Sequence, residues 1–129
     1  MNSVTSKTFT AQITIGLFRG YSKKLISELE LKKALLKGQE HIKASYKIEL
    51  SAKLSPCEIL FLGQEEPSME LQFIQYPKFL HEESAIKKAL ITLTELMMIE
   101  LEQNRVVIVF TDETIMLEQS DSIDPNIKL

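Results

Sequence analysis

Glu82–Gln103 (EESAIKKALITLTELMMIELEQ) runs almost directly into Arg105–Glu118 (RVVIVFTDETIMLE), and the fold turns on this pair. In the first stretch Ile86, Leu90, Leu93, Met97 and Leu101 recur at steps of four, three, four and four. That is the period of one buried helical face, which Ala89 and Leu96 widen. Glu82 and Glu83 fall in the first turn, where carboxylates oppose the positive end of the helix dipole. Asn104 tolerates the left-handed conformation and is expected to end the helix. Val106-Val107-Ile108-Val109-Phe110 is β-branched or aromatic throughout, as a strand touched on both sides requires. Ile91, Met98 and Ile99 sit beside the main stripe, as a broad core contact or a surface for a partner.

Upstream, Thr8–Phe18 alternates cleanly. Phe9, Ala11, Ile13, Ile15 and Leu17 share one face, and Thr8, Thr10, Gln12, Thr14 and Gly16 the other, which predicts a half-buried strand with a threonine-rich outer side. Arg19–Ser22 turns the chain, with Gly20 supplying a backbone conformation that other residues resist. A helix begins near Ser22 or Ser27, and Ser27-x-x-Glu30 fits a capping box. Gly38, within it, marks either close packing on the sheet or the helix end. From Tyr46 the period changes to two and runs to Leu62, interrupted at Ser55-Pro56. Proline cannot donate a ladder hydrogen bond, so this is an edge strand or two short strands. Gly63–Pro67 is a turn, and Met69–Tyr76 is the next strand. Thr111-Asp112-Glu113 marks either a bulge in one long final strand or the tip of a hairpin. Residues 1–7 and 119–129 are expected to be flexible tails on a single domain, with Ile123, Ile127 and Leu129 able to dock on a neighbour.

The order strand, helix, strand, strand, helix, strand predicts an α+β, ferredoxin-like βαββαβ sandwich. Its antiparallel four-stranded sheet, in spatial order 4-1-3-2, carries both helices on one face. The layout resembles ferredoxin-like oligomers, in which small regulatory or ligand-binding domains stack sheet against sheet. The topology places Phe18–Tyr21 near Arg105 and Met69, and Tyr76, Lys78 and His81 at the opposite end near Thr8 and Glu118. Arg19 and Arg105, the chain's two arginines, then share a rim with Tyr21. Guanidinium groups grip carboxylate or phosphate in bidentate fashion, so Arg19, Tyr21 and Arg105 are the candidate site for a small anionic ligand.

The 129 residues, 44% hydrophobic and 26% charged, suit one soluble domain. No apolar run nears the roughly 20 residues that span a bilayer. Met1–Thr8 is polar and unlike a signal segment, so a cytoplasmic location is expected. A net charge of −3 disfavours nucleic acid. Residues 22–45 carry an excess of three positive charges and residues 82–103 an excess of three negative ones, which predicts two helices that attract weakly. Cys57 stands alone, which excludes an internal disulfide and a multi-cysteine metal site, and its apolar neighbourhood predicts a buried, inert thiol. His41 and His81 lack the spacing of metal ligands, and no metal or cofactor is expected. Phosphate-loop patterns are absent. Asp112 and Glu113 fit a turn better than an acid–base pair.

With no catalytic motif, the leading expectation is a non-enzymatic, homo-oligomeric ligand-binding or regulatory domain, with its anionic ligand near a subunit interface. One alternative is a protein–protein adaptor or inhibitor that uses the edge Tyr46–Leu62 or the outer side of the second helix. The other is a small enzyme with its site at a subunit interface, using Tyr21, Tyr76, His81 or Asp112.

Overall fold

The computed structural model describes residues 1–127; Leu129 lies outside them. Seven elements are arranged in order: β1 (Thr10–Gly16), α1 (Glu28–Tyr46), β2 (Lys53–Phe61), β3 (Gln64–Ile74), α2 (Glu83–Glu100), β4 (Arg105–Phe110) and β5 (Thr114–Glu118). The strands form one antiparallel sheet in the order β2-β3-β1-β4-β5. The molecule is therefore α+β, with two helices and a five-stranded sheet.

Five strands, where four are expected, result from residues 111–113. The chain reverses there, and the Phe110 amide donates to the Glu113 carbonyl at 2.8 Å. Ile115–Leu117 then returns along β4. Glu118 consequently lies opposite Arg105, not at the Tyr76 end of the sheet.

One core joins the sheet to both helices. Ile13 and Ile15 of β1 are 1% and 0% exposed, and Leu71, Phe73, Ile108 and Phe110 share their face. Leu31, Leu35 and Ile42 of α1 and Leu90, Leu93 and Met97 of α2 complete the core. The other face carries Gln12, Thr14, Glu70 and Gln72, and exposes Val107, Val109 and Met116. Met98 and Ile91 also join the core, whereas Ile99 is exposed.

Local chemistry sets the element ends. Ser27 caps α1 and accepts from the Glu30 amide at 3.0 Å. Glu30 does not close the box: its carboxylate turns to Arg19. Gly38 marks neither contact with the sheet nor the helix end. A side chain there would collide with Leu93, so it lets α1 and α2 approach closely. α2 ends in a left-handed residue, but that residue is Glu102, not Asn104. The strand-like period from Tyr46 to Ala52 is not strand. Tyr46 closes α1, Lys47 adopts a left-handed conformation (φ 58°), and residues 48–52 form a connection to β2. β2 itself is an edge strand and contains Pro56, as its missing N–H demands. Cys57 on this strand is exposed rather than buried. Partial desolvation and the nearby Glu70 carboxylate hold its pKa above the usual thiol range, so it stays a weak nucleophile at neutral pH.

Candidate active site

A concavity opens at the end of the sheet where β1 begins and β3 finishes. Its floor is apolar: Phe9, Ile48, Phe73 and Ile86 are all buried. Tyr76, Phe79, Leu80 and His81 form one wall, and Lys47–Ser51 the other. Its volume is about 590 Å³, within the range of about 300–1,000 Å³ typical of small-molecule sites.

Each wall has a local cause. The left-handed cap at Lys47 turns the chain so that Ile48 enters the core. The Gln39 amide then donates to the Leu50 carbonyl at 2.9 Å, tying this connection to α1. On the other wall Tyr76-Pro77-Lys78-Phe79 is a turn closed by the Phe79 amide donating to the Tyr76 carbonyl at 2.9 Å. Proline at its second position has φ preset for such a turn. Phe79 and Leu80 remain 67% and 56% exposed. Aromatic faces over an apolar floor, with His81, Glu49 and Gln75 at the margins, suit a flat heterocycle bearing a cationic or polar substituent.

The arginine rim lies at the other end of the sheet. There the Tyr21 hydroxyl donates to the Ser122 carbonyl at 2.8 Å and accepts from the Asn104 amide at 2.9 Å. Arg105 pairs with Glu118 at 2.7 Å and reaches the Ser120 and Ser122 carbonyls. Arg19 faces the helices instead, bound to Glu30 at 2.6 Å and to Glu102 at 3.4 Å. The structure thus brings Tyr21 and Arg105 together and turns Arg19 to other partners. Both guanidinium groups face carboxylates of this chain, and their pKa values are raised chiefly by hydrogen bonds to Glu30 and to Glu118.

Near the same rim, Glu66 lies half-buried beside Gly16, in space that a side chain there would occupy. Burial, reinforced by Asp124, holds its pKa above the usual carboxylate range. Asp112 forms part of the β4–β5 turn, where Lys87 binds it at 2.8 Å and Glu113 at 3.1 Å. The Lys87 hydrogen bond lowers the Asp112 pKa, so Asp112 stays ionised and is poorly placed to exchange protons at neutral pH.

Of the four residues weighed for an enzyme, Tyr76 and His81 therefore share a cleft, and Tyr21 and Asp112 lie elsewhere. Phe9, Ile48, Glu49 and Phe79 are the residues that sequence reasoning missed. Their one legible signal is Phe79-Leu80: two large apolar side chains between Pro77 and a helix, outside any periodic pattern.

No protein-family model matches the chain, and no curated protein matches it. Two solved structures do. One is a phage SAM lyase in complex with S-methyl-5'-thioadenosine, with a TM-score of 0.66, 15% identity, and coverage of 95% of this chain and 98% of that one. The other is a phage SAM lyase in its apo state, with a TM-score of 0.64, 15% identity, and coverage of 89% and 91%. At this identity the likeness establishes a shared fold. It also corrects the expectation of a non-enzymatic ligand-binding or regulatory domain, because the chains that share the fold are those of an enzyme. Among the described residues, no helix is long and apolar enough to cross a membrane.

Proposed function

We propose that this chain is a lyase that binds S-adenosylmethionine and releases methylthioadenosine, using the cleft walled by Tyr76, Phe79 and His81. The observation that carries the reading is a fold shared with a SAM lyase over 95% of this chain and 98% of that one. The core is read as a ferredoxin-like sandwich extended by β5. The cleft supplies a flat apolar floor for the adenine and aromatic faces for the sulfonium, which is attracted to π-electron density.

The chemistry asks little of the protein. A sulfonium is already a good leaving group: the S–C bond to the four-carbon amino-acid fragment breaks, and its electron pair leaves on sulfur as a neutral thioether. The fragment's own carboxylate attacks the carbon that is released, closing a lactone, so atoms, charge and electrons balance without an added base or water. The chain's task is to fold the substrate so that carboxylate and carbon approach in line, which is orientation rather than proton transfer. Among the described residues that line the cleft, His81 is the one histidine. The arginine rim is assigned a structural role, holding residues 119–126 and the end of α2.

The test is direct. Incubation of the purified chain with S-adenosylmethionine is expected to give methylthioadenosine and the four-carbon lactone, separated by chromatography and weighed by mass spectrometry. Loss of the aromatic face in Phe79→Ala is expected to raise KM by about two- to thirtyfold, from about 0.5–2 kcal/mol per cation–π contact. Methylthioadenosine formation no faster than in a protein-free control overturns the proposal.

A further inference from the structure

We propose that Gln75 is a positioning residue, whose side-chain carbonyl latches the cleft-wall loop 76–81 in the conformation that presents Tyr76, Phe79 and His81. The proposal rests on the reading that this cleft takes the substrate.

Gln75 stands where β3 gives way to the loop. Its own amide donates to the Phe9 carbonyl at 3.3 Å, fixing it to the chain entering β1. Its side-chain oxygen accepts from the His81 amide. The loop is thereby a closed ring, with the Tyr76–Phe79 turn inside it and the Gln75–His81 hydrogen bond as its clasp. Other restraints are weak. Phe79 and Leu80 are mostly exposed, and Glu82 caps α2 without a side-chain hydrogen bond. Among the described residues, Gln75 makes the one side-chain hydrogen bond into residues 76–82.

The clasp needs only an acceptor of the right reach. Glutamate supplies one at the same length; leucine keeps similar bulk and supplies none. Lys78 sits exposed at the crest of the loop and is a trypsin site, so cleavage after it reports opening directly. Cleavage through a local opening equilibrium tracks the population of the open form.

The experiment compares the full chain with Gln75→Leu and Gln75→Glu. Trypsin is used at limiting concentration, the first cut is located by mass spectrometry, and KM and kcat are measured for S-adenosylmethionine cleavage. Loss of one hydrogen bond is expected to speed the Lys78–Phe79 cut in Gln75→Leu by about three- to tenfold. KM is expected to rise by a similar factor, with kcat unchanged, because uniform binding is lost. Gln75→Glu is expected to restore both. An unchanged cut in Gln75→Leu, a faster cut with unchanged KM, or a Glu variant that behaves like Leu overturns the proposal. Absence of lyase activity in the unaltered chain removes the proposed function instead, and the rate of the Lys78 cut still decides whether the clasp exists.

Discussion

Glu66 shows how a single side chain can cost a fold stability at neutral pH. Its carboxyl lies in the notch left by Gly16, half out of water and near Asp124. A carboxyl whose pKa rises on folding holds its proton more tightly in the folded chain than in the unfolded one. Stability therefore falls as pH climbs from the ordinary carboxylate range through the raised value. Glu66→Gln keeps the shape and removes the charge, so its melting temperature is expected to exceed that of the unaltered chain at pH 7. The gap is expected to close as pH falls towards about 4; thermal melts across the range from there to neutral pH measure it. The effect is modest, since the group is partly solvated and screened. Asp112 and Glu30 carry the opposite sign: their pKa values are lowered by Lys87 and Arg19, and they favour the fold until pH falls through those lowered values. None of this is legible in the sequence, because Gly16 and Glu66 are 50 positions apart and their meeting depends on the β1–β3 register.

The elements are more readable than the residues, wherever local periodicity decides. Phe9–Leu17 alternates because a one-sided sheet demands it, and Ser27 caps α1 because its own hydroxyl accepts from a first-turn amide. The 46–52 stretch alternates too, yet it forms a connection, because α1 extends to Tyr46 and the left-handed Lys47 redirects residues 48–52 away from the helix axis. Gly38 is ambiguous in the sequence because its partner is on another helix. Alanine there would gain about 1 kcal/mol of helix propensity on its own. The Leu93 side chain fills that space, however, and Leu93 is fully buried. Overpacking costs about 1–3 kcal/mol, so Gly38→Ala is expected to be net destabilising. Chemical denaturation checks this. In a double variant with Leu93→Ala the two costs are expected to be less than additive, because the second change removes what the first collides with.

At the scale of the whole molecule, two ends of the sheet do different work. One gathers side chains from residues 9, 47–51, 73–76, 79–81 and 86 into the cleft, and no sequence window contains more than a part of it. The other end ties residues 119–126 back onto the domain. Asn104 is the hub: its amide donates to the Tyr21 hydroxyl and to the Ser120 and Ser122 carbonyls, and its oxygen accepts from the Ser120 amide and hydroxyl. Asn104→Ala is expected to speed amide hydrogen exchange across 119–126 while leaving β1 and β3 protected. Unchanged exchange there overturns this role. Pro56 has a wider consequence. A foreign strand laid along the outside of β2 would meet a missing rung where the proline nitrogen carries no hydrogen, and on the far flank β5 offers only five residues. Each border thus carries one feature that blunts strand-by-strand growth, a proline on one side and a short strand on the other.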